Sequence, residues 1–250
     1  MSLRIATYNI RKGGSRRRAA LGEVLKALDA DVTVLQEATD RGVVDWLAEA
    51  TESQVTLAER GRSVAVLARG SANAPAGRWH RLPTGRSFAE IDLPAWGIRL
   101  LGVHLSAGLS GRGERRRTME VERLLAVAAD PPGPERTLII GDLNAVSPSD
   151  ALSVATLPAW IRLLLRIDGG ISTRVIGRVL TDGFVDAYRL LHPTESGATL
   201  PAVAPTVRLD YVMLGPSLVP AVASCRIGDA SLPMMLAASD HLPLLTVLEV

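Results

Sequence analysis

The sequence has one cysteine and few aromatic residues. The cysteine, Cys225, cannot form a disulfide within the chain, and its apolar neighbours indicate a buried structural thiol and not a nucleophile. Aromatic residues make up 4% of the chain, which leaves little surface on which the bases of a single strand could stack. These shortages argue against a disulfide-rich secreted protein and against strong binding of single-stranded nucleic acid.

Long apolar runs are also missing. No uninterrupted run approaches the roughly 18 residues that a membrane-spanning helix needs. The start, Met1-Ser2-Leu3-Arg4, leads into a strand-like segment and not into a signal sequence. We therefore expect a cytoplasmic protein with no stable membrane anchor; the alternative is that residues 1–3 are a cloning remnant in place of a natural leader.

The chain lacks a large excess of charge of either sign. Its 28 basic and 26 acidic residues give a formal net charge of +2, and all of the basic residues except Lys12 and Lys26 are arginines. The resulting pI of about 9.0 is a mild basic bias and not a nucleic-acid signature. Arginine pairs well with phosphate, although the base composition of the source genome explains the arginines more simply. No feature indicates an obligate protein partner.

The chain does have enough apolar residues, in a suitable order, for one large α/β domain. Its 250 residues are 47% hydrophobic, and we find no repeat, low-complexity tract or linker. Periodicity and turn residues predict helices at residues 17–28, 42–50, 112–129 and 185–191, and strands at residues 3–10, 31–36, 54–59, 63–68, 86–93, 98–105, 136–141, 206–214, 218–227 and 242–250. Short spacing between residues 54 and 105 favours antiparallel hairpins, so we expect a mixed sheet.

Polar side chains interrupt these apolar strands, mostly where the strands end. A buried polar group without a partner costs a few kcal/mol, so each interruption needs a reason. Strand ends of this kind converge in α/β sheets. The residues concerned are Asn9, Glu37, His104, Asp142, Asn144, Asp210, Asp240 and His241.

Each of these residues has a structural explanation when it is taken alone. A turn or helix cap, a satisfied core histidine or a lone ion pair would account for any one of them. Asp142 and Asn144 are two apart, so in an extended chain their side chains leave the same face and can share a ligand. Together, several carboxylates would repel one another unless a cation or a proton relieved them, which favours a metal centre.

Six short motifs that contain these residues occur in a characteristic order. They are Thr7-Tyr8-Asn9, Leu35-Gln36-Glu37, Val103-His104-Leu105, Gly141-Asp142-Leu143-Asn144-Ala145, Arg208-Leu209-Asp210-Tyr211-Val212 and Ser239-Asp240-His241-Leu242-Pro243. In this order the chain resembles the endonuclease/exonuclease/phosphatase superfamily from residue 5 to residue 245. That superfamily includes DNase I-like nucleases, abasic-site endonucleases, neutral sphingomyelinases and inositol polyphosphate phosphatases.

The resemblance implies a fold, an activity and a cofactor. The fold is a four-layered α/β sandwich, in which two mixed sheets lie face to face with helices outside. The activity is divalent-metal-dependent hydrolysis of phosphodiester bonds. Glu37 would be the principal metal ligand, with Asn9 and Asp240 near the metal, and such hard oxygen ligands suit Mg²⁺ or Mn²⁺ and disfavour zinc.

The same resemblance implies roles for the remaining motif residues. Asp142 would orient or deprotonate the attacking water, and Asn144 would donate to a phosphate oxygen. His241 would contact the phosphate or transfer a proton, with Asp210 holding its ring and favouring the imidazolium.

Three further residues would act near the phosphate in the manner of the DNase I-type nucleases and other relatives. His104 would be a second imidazole at the phosphate, and Glu59 is the candidate to support its ring. Arg86 matches an arginine that contacts the phosphate in some relatives, although any arginine at a strand edge would look the same.

The substrate stays open between three functions. We favour a nuclease; the alternatives are a phosphatase or phospholipase-type phosphodiesterase on lipid or small-molecule phosphates, and a catalytically silent binding module. A silent module is disfavoured because every matched position keeps a competent residue type. The expected partner is therefore a phosphate-ester substrate, with nucleic acid among the candidates.

Two features outside the motifs bear on the substrate. The triple arginines at residues 16–18 and 115–117 could grip a nucleic-acid backbone, but we expect them on solvated helix faces. Within residues 157–180, apolar side chains surround Arg162 and Arg166 on one helical face. This basic amphipathic segment could be a lid, a membrane contact or a helix packed on the body, and we favour packing.

Overall fold

The computed structural model describes residues 1–70, 77–108, 111–150 and 172–250. The strands in these ranges are β1 (Ser2–Asn9), β2 (Val32–Gln36), β3 (Gln54–Ala58), β4 (Val64–Ala68), β5 (Gly77–Arg81), β6 (Ser87–Leu93), β7 (Ile98–His104), β8 (Thr137–Asp142), β9 (Val185–Asp186), β10 (Asp210–Leu214), β11 (Val222–Ile227) and β12 (Leu244–Glu249). The α-helices are α1 (Arg18–Leu28), α2 (Arg41–Ala50), α3 (Gly111–Ala129), α4 (Arg174–Thr181), α5 (Ala187–Leu191) and α6 (Pro233–Ala238). None of these described helices combines the length and the apolar character that crossing a membrane requires.

The strands form two six-stranded mixed sheets. The first sheet has the order β11-β12-β1-β2-β4-β3, and the second has the order β5-β6-β7-β8-β10-β9. Each sheet contains one parallel pair, β1 with β2 and β7 with β8, and all other neighbours are antiparallel. A parallel pair needs a crossover connection, and α1 and α3 lie in these two connections. Both sheets therefore contain a strand-helix-strand unit.

Apolar side chains separate four layers. Between the sheets, Ile5 and Val34 of the first sheet lie in one cluster with Leu100 and Ile140 of the second. The other face of the first sheet packs on α1, α2 and α6, and the other face of the second sheet packs on α3 and α4. The order is helix, sheet, sheet, helix, which confirms the predicted four-layered α/β sandwich.

The layer between the sheets ends in polar residues at one edge. Successive strand residues point to opposite faces, so the residues that continue the inward-facing row of Ile5 or Ile140 share that face. At the edge, these inward positions are occupied by buried polar side chains. They belong to Asn9, His104, Asp142 and Asp210.

Side-chain caps determine where two helices begin. Asp40 accepts hydrogen bonds from the backbone N–H groups of Gly42 and Val43 at the start of α2, at 3.0 and 3.4 Å. Asp186 caps α5 in the same way through the N–H groups of Tyr188 and Arg189, at 3.0 and 3.1 Å. Such caps satisfy backbone donors that the first helical turn leaves without partners.

Every predicted strand overlaps an observed one, but several short elements were not predicted. The strand predicted at 206–214 begins only at Asp210, and residues 216–221 form a 3-10 turn before β11. The unpredicted elements are β5, which has little apolar alternation, the short helices α4 and α6, and β9, which replaces the first two residues of the helix predicted at 185–191. Of the basic amphipathic segment at 157–180, residues 157–171 lie outside the described ranges.

Cys225 is a buried thiol, as predicted. It lies on the inner side of β11, and the Thr246 hydroxyl donates to its Sγ at 3.2 Å. Burial raises the pKa of the thiol from 9.0 to about 12. The thiolate, which is the reactive form, is thereby about 10³-fold less populated than in an exposed cysteine.

We expect the native protein to resist a disulfide reagent such as DTNB at pH 8, because Cys225 is both inaccessible and protonated. In guanidinium chloride the protein is unfolded, and one thiol per chain should then react as fast as a small free thiol under the same conditions. Rapid reaction of one thiol in the native state would contradict the burial of Cys225.

Candidate active site

Strand ends from both sheets meet at one edge of the sandwich. The structure brings all eight polar residues singled out above to this edge, together with Arg86. Their positions are Asn9 at the end of β1, Glu37 after β2, Arg86 before β6, His104 at the end of β7, Asp142 at the end of β8, Asn144 two residues later, Asp210 at the start of β10, and Asp240 and His241 shortly before β12.

Asn9 connects the two sheets. Its buried Nδ2 donates to Oδ2 of Asp142 at 3.0 Å and to Oε1 of Glu37 at 3.3 Å. Its Oδ1 accepts a hydrogen bond from the backbone N–H of Arg11 at 2.9 Å. A side-chain amide can bridge two carboxylates because it carries two N–H donors. Asn9 therefore links the carboxylate after β2 to the carboxylate that ends β8.

Glu37 is held as an anion at the end of β2. Burial alone would raise the pKa of Glu37, but the N–H of Lys12, 2.6 Å from Oε2, and the amide of Asn9 hold that pKa below its ordinary value. The backbone of Glu37 is left-handed, with a φ of 54°. Such a conformation costs about 1–3 kcal/mol in a residue other than glycine, so the surrounding contacts must stabilise it.

Two buried aspartates and one histidine form the centre of the site. Asp142 and Asp210 are direct partners across β8 and β10, and burial together with the charge of Asp210 raises the pKa of Asp142. Nδ1 of His241 lies 2.8 Å from Oδ2 of Asp210, and its Nε2 lies 4.0 Å from Oδ2 of Asp142. Burial alone would lower the pKa of His241, but Asp210 outweighs that effect and raises it to about 9. His241 is therefore an imidazolium at neutral pH.

His104 has the opposite protonation state. Burial and the nearby charge of Arg86 lower the pKa of His104 to about 4, so its ring is neutral at neutral pH. Its Nε2 lies 3.7 Å from Oδ2 of Asp142, and its Nδ1 has no hydrogen-bond partner within the described ranges. The prediction that Glu59 supports this ring is wrong. The turn between β3 and β4 instead directs Glu59 towards Arg62, with which it forms a surface ion pair.

A tight turn after β8 places Asn144 against Leu105, the residue after His104. The chain is not extended here, contrary to the sequence argument: Asn144 has a φ of 48°, and its N–H donates to Oδ1 of Asp142 at 2.9 Å. Nδ2 of Asn144 donates to the carbonyl of Leu105 at 3.1 Å. Arg86 donates to the carbonyl of His104 at 3.4 Å. Asn144 and Arg86 thus both bind the end of β7.

Arg11 and Ser239 complete the site, and neither was predicted to be a site residue. Nε of Arg11 lies 3.1 Å from Oδ2 of Asp240. The hydroxyl of Ser239 donates to the carbonyl of Asn9 at 2.7 Å and accepts the N–H of His241 at 3.4 Å. Arg11 lies two residues after the motif residue Asn9, and Ser239 belongs to the motif at residues 239–243, where it was given no role.

Arg208 and Tyr211 hold the turn that follows β8. Arg208 is buried and forms ion pairs with Asp150 at 2.8 Å and Asp186 at 2.6 Å. The hydroxyl of Tyr211 donates to the carbonyl of Ala145 at 2.9 Å. Removing one partner from a buried ion pair is strongly destabilising, so this network fixes the turn against β10.

The side chains at this edge fit a hard divalent cation. Glu37 and Asp240 carry carboxylate oxygens, and the amide oxygen of Asn9 also accepts the N–H of Arg11. The only cysteine of the chain lies elsewhere, on β11. Asp142, Asp210 and His241 also have ligand atoms within 4.8 Å of one another, but His241 and Asp210 already bind each other. Oδ1 of Asp210 is buried and has no hydrogen-bond partner in the described parts of the chain. Oxygen-rich sites of this kind favour hard cations over zinc.

The sequence and the site define the class of protein. The model of the Endonuclease/Exonuclease/phosphatase family matches residues 6–241, and the chain belongs to this family. Its members are hydrolases of phosphoester bonds that generally depend on divalent metals. No curated protein sequence matches the chain at a significant level.

Solved structures share the fold along nearly the whole chain. An AP endonuclease from Archaeoglobus fulgidus has a TM-score of 0.75 at 21% identity, over 99% of this chain and 100% of that one. A 3'-5' exonuclease from Neisseria meningitidis has a TM-score of 0.74 at 17% identity, with 99% and 100% covered. A 3' phosphatase from Neisseria bound to product DNA hairpin has a TM-score of 0.72 at 17% identity, with 98% of each chain covered. The fold is therefore of the DNase I-like type.

Gly141 allows β8 to approach β7 closely just before Asp142. Its φ is 145°, and a Cβ at this position would lie 2.0 Å from the carbonyl oxygen of Val103. Only glycine combines a positive φ with such a close approach between backbones. The glycine therefore allows the pairing that places Asp142 beside His104.

We expect Gly141→Ala to lower the free energy of unfolding by about 3 kcal/mol, because overpacking and backbone strain add. Urea denaturation followed by circular dichroism measures this loss. Gly61→Ala is the matched control: Gly61 has a φ of 81° with no atom near the position of a Cβ, so strain alone should cost about 1 kcal/mol. Equal losses in the two variants would contradict the clash with Val103.

Proposed function

We propose that this chain is a divalent-metal-dependent phosphodiesterase of the nuclease type, and that residues 1–250 form one catalytic domain. The observation that carries the proposal is the contact between Asn9 of the first sheet and Asp142 of the second, beside Glu37 and the Asp210–His241 pair. These groups offer one phosphate a set of metal ligands, a proton acceptor and a charged donor.

Mg²⁺ or Mn²⁺ is the proposed cofactor, held by Glu37 with Asn9 and Asp240. When bound, the ion neutralises charge on the scissile phosphate and on the leaving oxygen. The N–H of Lys12 keeps the Glu37 carboxylate oriented and ionised, which suits a metal ligand. Arg11 holds Asp240 at the same edge of the site.

Asp142 and Asn144 are proposed to act on the attacking water and on the phosphate. Burial and the neighbouring Asp210 raise the pKa of Asp142, so its carboxylate accepts a proton more readily than an exposed one. Asn144 uses one amide hydrogen on the carbonyl of Leu105 and has a second one for a phosphate oxygen.

His241 is proposed to bind the phosphate or to protonate the leaving oxygen. Asp210 occupies Nδ1 of the imidazolium, which leaves the Nε2–H for the substrate. The neutral ring of His104 and the guanidinium of Arg86 contribute further phosphate contacts. Fixed donors of this kind stabilise charge that develops on phosphate oxygens during the reaction.

A nucleic-acid phosphodiester is the proposed substrate. The similar solved structures include an AP endonuclease and a phosphatase bound to product DNA hairpin, which supports DNA. A terminal phosphomonoester is the second candidate, because that latter structure is a 3' phosphatase. The segment that suggested lipid substrates, around residues 160–166, lies outside the described ranges and supports neither candidate.

Replacing His241 or Asn144 by alanine should lower turnover by about 10²-fold or more, because each change removes a donor to the phosphate. Steady-state kinetics on a phosphodiester, with circular dichroism to monitor folding, measures the loss. His192→Ala is the matched control outside the site and should keep turnover within about twofold. Unchanged turnover in both active-site variants would refute these roles.

The metal requirement can be tested with a substrate panel. We expect Mg²⁺ or Mn²⁺ to support cleavage of plasmid DNA, with RNA, a simple phosphodiester, a phosphomonoester and phospholipid as comparisons, and EDTA to abolish cleavage. Glu37→Gln should weaken Mn²⁺ binding by about tenfold or more in calorimetry, whereas Glu49→Gln, on the exposed face of α2, should not. If the protein binds Mn²⁺ but cleaves none of these substrates, the result would favour a catalytically silent binding module.

A further inference from the structure

Glu120 of α3 is a fully buried carboxylate that is not among the proposed catalytic, substrate-binding or metal-binding residues. Its Oε2 accepts the backbone N–H of Ser106 at 2.7 Å, and its Oε1 accepts the hydroxyl of Ser106 at 2.6 Å. Oε1 also accepts the hydroxyl of Thr84. Burying a carboxylate is costly unless such donors satisfy it. The three hydrogen bonds explain how the protein stabilises the buried carboxylate of Glu120. They do not explain why a carboxylate lies at this position.

The partners of Glu120 belong to two segments that carry site residues. Thr84 lies two residues before Arg86, and Ser106 lies two residues after His104. The residue between His104 and Ser106 is the one whose carbonyl accepts the amide of Asn144. One carboxylate therefore holds together the turn before β6 and the segment after β7.

Arg117, one turn before Glu120 on α3, binds the same segment from the carbonyl side. It donates to the carbonyls of Ser106 at 3.0 Å and Gly108 at 2.8 Å, and it pairs with Glu114 at 3.0 Å. Arg117 is buried, so the expectation of a solvated face for residues 115–117 is wrong at this position. Helix α3 thus binds both the N–H and the C=O of Ser106.

We propose that Glu120 is a positioning residue that fixes Arg86, His104 and Asn144 relative to one another, and that it does not touch the substrate. The inference rests on the proposed function, in which these three residues contact the phosphate. The proposed metal ligands Asn9, Glu37 and Asp240 lie on segments that Glu120 does not bind. A displacement of about 1 Å at the phosphate contacts is enough to lower turnover by about 10²-fold.

Glu120→Ala should lower kcat by about 10- to 10²-fold on the phosphodiester while leaving the Kd for Mn²⁺, measured by calorimetry, within about twofold of the wild-type value. Glu120→Gln should restore most of the loss. Its amide oxygen accepts the N–H of Ser106, and the two hydroxyls can rotate to accept from its amide N–H groups. Glu122 lies on α3, as Glu120 does, and forms an exposed ion pair with Arg178 of α4, so Glu122→Ala should match the wild type.

Backbone amide shifts measured by NMR provide a readout that is independent of activity. Glu120→Ala should shift the amide signals of Arg86, His104 and Asn144 and leave that of Lys12, beside Glu37, unchanged. Wild-type kcat and KM in Glu120→Ala would overturn the inference, as would a parallel loss of kcat and Mn²⁺ affinity. A wild-type protein that hydrolyses no phosphoester refutes the proposed function alone, and the amide shifts still decide whether Glu120 orders these residues.

Two milder variants serve if Glu120→Ala does not fold. Thr84→Val removes only the hydrogen bond from Thr84 to Glu120, which holds the turn before Arg86. Because Arg86 is a proposed binding contact, this variant should raise KM several-fold and keep kcat within about twofold of the wild-type value. Ser106→Ala removes the hydrogen bond from the Ser106 hydroxyl to Glu120, which holds the segment after His104, and should lower kcat. Kinetics identical to the wild type in both variants would overturn the inference.

Discussion

The structure depends on burying two aspartates beside each other. Asp142 and Asp210 are direct partners across β8 and β10, in a region between the sheets where like charges repel strongly. The surroundings offset this repulsion: Asp210 binds the His241 imidazolium, and Asp142 accepts hydrogen bonds from Asn9 and from the N–H of Asn144. Because Asn9 and His241 belong to segments of the first sheet, this arrangement requires the two sheets to be packed together.

The proposed site takes residues from both sheets of the sandwich. Each sheet contains one parallel strand pair, and each pair ends in polar residues at the same edge. The first sheet and the segment before β12 carry Asn9, Glu37, Asp240 and His241, whereas the second sheet carries His104, Asp142 and Asp210. The amide of Asn9 joins the two sets through hydrogen bonds of 3.3 and 3.0 Å. Proposed metal ligands and proposed acid-base groups are therefore adjacent, and Asp240 and His241 are consecutive residues.

The residues that could be predicted are those that interrupt apolar strands. A polar residue at the end of a buried strand is conspicuous, because its burial is costly unless it has a partner. Glu120 was not predicted, since a glutamate among the charged residues of α3 looks like an exposed one until the helix is docked. Short elements such as α6 were missed for a similar reason, because six residues span too few turns to show a periodic apolar face.

By itself, the amino-acid sequence determined the α/β class, the family resemblance and the identity of the polar residues at the strand ends. Alternation, turn residues and ordered motifs are local properties that a chain carries whether or not it is folded. Only the tertiary structure decided which of these residues touch and how they are charged. His104 is neutral because it is buried and lies near Arg86, whereas the buried ring of His241 is an imidazolium because Asp210 lies 2.8 Å from its Nδ1. These distances arise from the packing of segments that are far apart in the chain, and no local pattern encodes them.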